Sequence, residues 1–401
     1  MPAAGAVLML VENMPVPMDR RVWPEAQALR DAGYEVVIVC PRGVDVDAAP
    51  FEVVDGIEIH RFPSVVGQGT LGFVREYITA FWHVARLTRR LGRQRAFAVV
   101  HAANPPDYLL LAARSLKRRG AVFVFDHHDL FPELYRARFG GGRGVVYRLA
   151  LLLERLSFKL ADVVISTNES YRRIAIERGG RRPEDVFVVR NAPDATRFRP
   201  GEPDPTLRRG KKYLLAYVGV MAPQDGVDRA LEALHLLRRR RNDWHAIFAG
   251  DGAAYDEVRR LATEHGLDDV VEFPGFLHDP ATVARILATA DVCLAPEPKD
   301  PLNDVSTLIK VAEYMAAGCA IVSFDLQESR ITAGDAAAYA EPNDVSSFAA
   351  RIDELLDDAD ARRRMGETGR ERVEQFYSWE HSKAALLAVY ERVLSGNGQR
   401  H

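Results

Sequence analysis

Three residues of one short stretch are spaced to act together. In "DVSTLIKVAEYMAAGCAIVSFD", residues 304–325, helical spacing puts Ser306, Lys310 and Glu313 at i, i+4 and i+7. That stripe lies opposite Leu308, Val311, Ala312, Met315 and Ala316. A hydroxyl, an ammonium and a carboxylate in line suit a ligand that is both anionic and rich in hydroxyls. Asp304 or Ser306 is expected to cap the helix, so that first-turn N–H groups, with Thr307 beside them, meet an anion. Gly318 stops the helix and a buried strand follows at once. The plain alternative is a solvated face with an ordinary Lys–Glu pair. The strand "DVCLAP" just ahead argues against it, because helix N-termini at strand carboxyl ends bind anions. Lys310 is then expected to offset diphosphate charge, and Glu313 to accept from ribose hydroxyls as carboxylates do in nucleotide-binding α/β folds.

A second concentration of chemistry lies in "FDHHDLFPELYRARFG", residues 125–140. His127, His128, Asp129 and Glu133 crowd the carboxyl end of a buried strand, a costly arrangement in a core and a usual one in a cleft. The alternatives are a capping Asp129 with a hydrogen-bonded loop histidine, or a zinc site. No third ligand cluster supports zinc. In "ENMPVPMDRRVW", residues 12–23, Arg20 and Arg21 are candidates to hold a phosphate, or are simply solvated, with Asp19 as helix cap or ligand contact. Further on, Phe73, Tyr77, Phe81, Trp82 and Leu87 are interleaved with Arg86, Arg89, Arg90, Arg93 and Arg95. This reads as a basic amphipathic helix that either covers a sheet or adsorbs to an anionic membrane.

Elements able to position these groups alternate along nearly the whole chain. Near-continuous apolar runs, "AVLMLVE", "YEVVIVC", "FAVVHA", "AVFVFDHHD", "ADVVISTN" and "DVFVVRN", predict parallel strands covered on both faces. The Pro-, Asp- and Arg-rich stretch 191–212 reads as a linker. The pattern then restarts with "YLLAYVG", "WHAIFAG", "VVEFPG", "ADVCLAP", "CAIVSFD" and "AAYAEP". The prediction is α/β, two doubly wound sheets in tandem with their strand carboxyl ends on a shared cleft. The expected boundaries are 1–196, 197–377 and a closing amphipathic helix, 378–401, that returns to the first domain.

The chain has 401 residues, 27% of them charged, with a net charge of −3. Its halves differ in sign: residues 1–200 carry a balance of +7 and the remainder −10. A basic half suits an anionic ligand or surface. Cys40, Cys293 and Cys319 lack metal spacing and read as buried thiols of a reducing compartment. The first apolar run is short, lacks a basic flank and ends in Glu12, so it reads as a strand rather than a signal peptide. No run approaches the ~18–20 apolar residues of a transmembrane helix. The expected location is cytoplasmic, with peripheral contact at the inner membrane surface in view.

"KVAEYMAAGCAIVS" resembles the C-terminal signature of retaining glycosyltransferases of the two-Rossmann GT-B fold, family 4. Other pieces fall in the family's order: "MDRRVWPEAQALRDAGYEVVIVCPRG", "YVGVMAPQDGVDRALEAL", "FAGDG", "VEFPGF" and "FYSWE". The resemblance implies that Gly219, Gly250, Gly252 and Phe276 join Ser306, Thr307, Asp304 and Glu313 in holding a nucleotide-diphosphate sugar. It also implies that the loop of His128 and Asp129 approaches the transferring sugar, where these two contact it or steer the acceptor proton. Asp19, Arg20, Arg21 and Glu133 are then expected on the acceptor side.

The chain departs from the family's pattern in two places. The first glutamate of the usual pair falls on Val305, with Asp304 or Asn303 the candidate replacements. The family's arginine and lysine slots after the second domain's first strand hold Val220 and Asp225, which throws weight onto Lys310 and the helix end. "PQDG" and the Lys–"EYMA" arrangement are similar to a branch that assembles bacterial exopolysaccharide, capsule or lipopolysaccharide.

The implied reaction moves a sugar to a saccharide or lipid-linked hydroxyl acceptor with retention, using no metal and no resident cofactor. Charge growing on the leaving phosphate would be met by Lys310 and the helix end. Rival readings are a nucleotide-sugar epimerase of the same fold, a phosphorylase, for which no cofactor-lysine site is visible, and a sugar-nucleotide-binding protein that no longer catalyses. Nucleic-acid binding is not expected, since the basic groups are dispersed without a stacking platform.

Overall fold

Strands form where the apolar runs are, because a strand covered on both faces must be apolar on both. The computed structural model describes residues 5–43, 48–63, 69–139, 144–193, 198 and 201–397. Most of the chain up to Arg190, together with residues from Ser382 on, forms one compact unit, and Asn191–His381 forms a second. The first unit holds strands β1 (Ala6–Leu10), β2 (Glu35–Pro41), β3 (Phe51–Val54), β4 (Ile57–Phe62), β5 (Val99–Ala103), β6 (Val122–His127), β7 (Val163–Ser166) and β8 (Val186–Val188). Their order across the sheet is β3-β4-β2-β1-β5-β6-β7-β8.

All neighbours are parallel except β3 and β4, an antiparallel hairpin absent from the sequence-based expectation. Its signal is the Asp55–Gly56 pair between alternating runs, and both residues adopt positive φ, 50° and 79°. Such a turn matches the twist of a hairpin.

The first unit's helices are α1 (Val22–Asp31), α2 (Gly69–Gln94), α3 (Leu110–Lys117), α4 (Phe131–Phe139), α5 (Val145–Leu160) and α6 (Glu169–Glu177). Helices α2, α3 and α5 lie side by side on one face of the sheet. Val84, Leu91, Leu116 and Phe158 pack there against Leu8, Val100 and Phe123. Tyr77 and Phe81 of α2 turn inward, their rings 5.8 and 5.6 Å from that of Tyr108, and Leu87 joins the core. Trp82 stays in solvent, and the side chain of Phe73 lies outside the described residues. From Ser382 the closing helix, Trp379–Asn397, belongs to the first unit. There Tyr390 is buried and shares a 2.8 Å hydrogen bond with His101 Nδ1.

The second unit has an all-parallel sheet of β9 (Tyr213–Val218), β10 (Trp244–Ala249), β11 (Val271–Gly275), β12 (Val292–Ala295), β13 (Ile321–Phe324) and β14 (Ala337–Ala340). The order is β11-β10-β9-β12-β13-β14. The sequence reverses direction across the sheet between β9 and β12, the position where open α/β sheets bind ligands. The three cysteines are buried and free. Among the described residues no helix is long and apolar enough to cross a membrane.

Candidate active site

In the second unit the loops leaving β9 and β12 converge on Lys310, and the loop leaving β10 packs on that of β9. Beyond β9 the chain turns through Gly219, and a Cβ built there would stand 3.0 Å from Lys310 Cε. Beyond β10, Gly250 and Gly252 adopt φ of 149° and 155°. A Cβ on Gly250 would overlap the Gly219 carbonyl oxygen at 1.8 Å, and one on Gly252 the Met221 oxygen at 2.4 Å. Gly250 and Gly252 therefore let two loops cross backbone to backbone, and Gly219 leaves room for the Lys310 side chain. Gly226, farther along the loop leaving β9, approaches the chain beyond β12 so closely that a Cβ would meet the Pro296 carbonyl oxygen at 2.2 Å.

Lys310 itself is buried. Its Nζ donates to the Tyr217 hydroxyl at 2.9 Å, lies 3.4 Å from Asp225 Oδ1 and contacts the Glu297 carboxylate. Burial opposes the ammonium, but the charge of Glu297, then Tyr217 and Asp225, holds its pKa well above the ordinary lysine value. Burial likewise pushes the Glu297 carboxyl above its usual range, with Lys310 pulling the other way.

Several expectations are corrected here. Ser306, Lys310 and Glu313 do not share one helix, since the α-helix runs Ile309–Ala317 and leaves Ser306 outside it; Lys310 and Glu313 are buried, against the solvated-face alternative. The helix begins with Leu308 at its N-cap and no side-chain cap. Ser306 Oγ instead donates to the Leu302 carbonyl at 2.7 Å. Asp304 accepts from Gln327 N at 2.9 Å and pairs with Lys299 at 3.2 Å. Asn303 is buried, its amide donating to Gln224 O and Pro298 O at 2.9 and 3.0 Å. Both brace the loop through these contacts. Thr307 lies between the 3-10 turn Asn303–Val305 and the helix. Phe276, on the loop after β11, is half in solvent and edge-on to His278, with ring centres 4.9 Å apart.

Sequence reasoning missed Glu297 because "LAPEPKD" reads as a strand end and a turn. Only the fold shows that its carboxylate faces a lysine 13 positions on. Asp225, taken as the loss of a cation, is a partner of the remaining one.

In the first unit, His128 and Asp129 follow β6. The Asn104 amide oxygen accepts from both of their backbone N–H groups, at 2.8 and 3.0 Å. Its amide nitrogen donates to Asp107 Oδ1 and to the Asp129 carbonyl. Asn104 is a second residue the sequence did not single out. Burial works against charge on His128, yet the hydrogen bond and charge of Asp126 hold its pKa above the ordinary value. Burial raises that of Asp129.

Arg21 is not available for a phosphate. It is buried and grips Asp126 through Nε and Nη2 at 2.7 and 2.6 Å, donates to the Val189 carbonyl and lies 3.4 Å from Glu25. Asp19 takes the cap alternative, accepting from Arg21 N and Val22 N at 2.8 Å each. Glu133 is paired with Arg178, which also holds buried Glu154. Arg20 remains exposed at the same loop. Glu12, at the end of β1, is another acid passed over: burial, then neighbouring Glu76, pushes its carboxyl up to about 8.

Among the described residues, Glu25, His101 and Asp126 bring three metal-type ligand atoms within 4.8 Å of one another. The Arg21 guanidinium already supplies these carboxylates with a cation, so the group does not fit a metal as it stands.

Two doubly wound units in tandem, the second closing glycine-lined strand ends around one lysine, define the GT-B class of glycosyltransferases. Residues 199–372 match the family described as glycosyl transferases group 1. Residues 18–192 match the one described as glycosyl transferase 4-like domain. The chain belongs to glycosyltransferase family 4.

Among its relatives is a glycogen synthase of Mycobacterium tuberculosis (strain CDC 1551 / Oshkosh), 26% identical over 95% of this chain and 92% of that protein. In fold it is similar to a sucrose-phosphate synthase from Thermosynechococcus elongatus, with a TM-score of 0.80, 17% identity, and coverage of 98% and 100%. It is similar also to Anabaena HepE in complex with UDP-glucose, with a TM-score of 0.68, 16% identity, and coverage of 98% and 100%.

Proposed function

We propose that this glycosyltransferase moves a sugar from a nucleoside-diphosphate sugar to a hydroxyl acceptor with retention of anomeric configuration and without a metal. Its expected setting is the assembly of a bacterial cell-surface polysaccharide at the cytoplasmic side, on a saccharide or lipid-linked acceptor. The observation that carries this reading is the convergence of the β9 and β12 loops on Lys310 at the start of helix Ile309–Ala317, with the β10 loop packed on that of β9. Glycines there admit a ligand to the backbone, and an uncapped helix start favours an anion.

In the reaction the bond from the anomeric carbon to the diphosphate oxygen breaks while the acceptor oxygen bonds to that carbon from the same face. The diphosphate leaves with the bonding pair. Lys310 and the first-turn N–H groups stabilise that growing charge, which is where preorganised donors lower a barrier. Glu313 and Phe276 are assigned to the nucleoside. On the acceptor side, His128 and Asp129, fixed by Asn104, are assigned to the sugar and the acceptor proton.

The test is incubation with a panel of nucleoside-diphosphate sugars and saccharide acceptors, with the product's anomeric configuration read by NMR. A retained linkage, and hydrolysis of the same donor when acceptor is omitted, is expected. Epimerised donor without acceptor, or bound donor that is never cleaved, would refute the reading.

A further inference from the structure

The outer face of the three-helix layer α2, α3 and α5 is unlike the rest of the surface. Helix α5 exposes Val145, Leu149, Leu152 and Leu156, at i, i+4, i+7 and i+11, with Val145 82% exposed. Arg148, Arg155 and Lys159 flank this stripe in solvent. Helix α2 exposes Ile78 and Trp82, the indole 65% exposed, and then Arg86, Arg89 and Arg93 along the same stripe. Helix α3 between them exposes Leu111 and Arg114, and Arg118 at its C-cap is exposed too.

The only acids on the three helices are Glu76, partly buried, and Glu154, buried on Arg178. Among the described residues, none of the eight exposed cations named has an acidic partner within ion-pair distance. Elsewhere exposed arginines are commonly paired, as Arg209 is with Glu272, Arg238 with Asp269 and Arg260 with Glu264.

We infer that this face docks on an anionic lipid bilayer. An apolar patch of this extent marks an interaction surface. Basic residues bordering apolar ones, with no acid among them, complement the boundary between acyl chains and anionic headgroups. On α2 and α3 the exposed apolar groups named precede the named cations along the chain, whereas on α5 the apolar stripe runs from Val145 to Leu156 with the cations interleaved. Helix N-terminal ends in β-α units lie at the strands' carboxyl ends, the edge that carries His128 and Asp129. With the apolar groups of α2 and α3 nearer that edge than these cations, docking turns the acceptor edge of this unit toward the acyl layer. On the function proposed above, a lipid-linked acceptor would be met without leaving the membrane; the docking itself stands apart from that reading.

The test is flotation of the full chain with vesicles of phosphatidylcholine alone or with about 30 mol% phosphatidylglycerol, at low and high salt. Binding to the anionic vesicles, weakened by salt, is expected. The surface variants L149E/L152E and R86E/R89E/R93E should each weaken it by at least about tenfold. Unchanged circular dichroism and melting in both variants show that they are folded. No binding to the anionic vesicles, or variants that bind as the wild type does, overturns the inference. So does a dimer in light scattering that L149E/L152E dissociates, which would make this face a contact between copies. Nucleotide-sugar binding measured without vesicles fails only if the donor reading fails, so the two are distinguished.

Discussion

Lys310 carries one positive charge into a buried place already holding Glu297, with Asp225 at its rim. A diphosphate adds more negative charge to that place, so one carboxylate is expected to take up a proton as the nucleotide binds. Glu297 is the group, because burial has already raised its carboxyl and a nearby anion raises it further. Calorimetry of UDP binding in buffers of different ionisation enthalpy should register uptake of up to about one proton, with affinity rising as pH falls. Glu297→Gln should abolish both the uptake and the pH dependence; uptake that persists in the variant would reassign it. The same cluster shapes the test of Lys310. Lys310→Ala leaves buried Glu297 without its cation and should cost about 3–5 kcal/mol of stability as well as activity. Adding Glu297→Gln should restore most of the melting temperature, while turnover stays at least about tenfold down. A double variant that regains turnover along with stability would remove Lys310 from the chemistry.

At the scale of elements, the crossing of the β9 and β10 loops is a backbone contact that only glycine permits. Gly250→Ala forces a Cβ into the Gly219 carbonyl at a φ of 149° and should cost at least about 2 kcal/mol. Gly266→Ala, with φ of 65° but open space around it, should cost about 1 kcal/mol. Equal denaturation midpoints for the two would refute the crossing. Between α1 and β6, burial pushes Glu25 up to about 7 from 4.5, Arg21 opposing. Its folded pKa is the higher one, so its contribution to stability is complete below 4.5 and lost as pH rises through about 7. Glu25→Gln should flatten stability against pH across that window in denaturant titrations. These elements also mark where the sequence could be read and where it could not. Every strand of the second sheet lies within an apolar run legible from composition alone, because covered strands must be apolar. The start of helix Ile309–Ala317 was not legible. Ser306 and Asp304 are good caps by type, but Ser306 turns back to the Leu302 carbonyl and Asp304 is taken by Lys299 and the distant Gln327. The partners of Lys310 and the bracing role of Asn104 depend on contacts between segments far apart in the chain, which periodicity does not encode.

At the scale of the whole molecule the two units divide by charge as they do by proposed task. The basic first half carries the unpaired cations of the α2–α3–α5 face, while many of the second unit's arginines are consumed in local pairs. The donor seat proposed above, built wholly from second-unit loops, predicts a pattern of backbone hydrogen exchange. A ligand that binds only the folded form stabilises it by about 2.7 kcal/mol at a hundredfold excess over Kd. Local openings of the loops it touches are suppressed accordingly. With the full chain and saturating UDP, peptides covering 219–226, 250–254 and 296–311 should exchange more slowly, while those covering β5 and β6 keep their rates. Lys310→Ala with Glu297→Gln should shrink the protection without moving it, since the helix start and the glycine loops remain. Protection centred on residues 101–129 would place the nucleotide in the first unit and reverse the assignment of donor and acceptor sides.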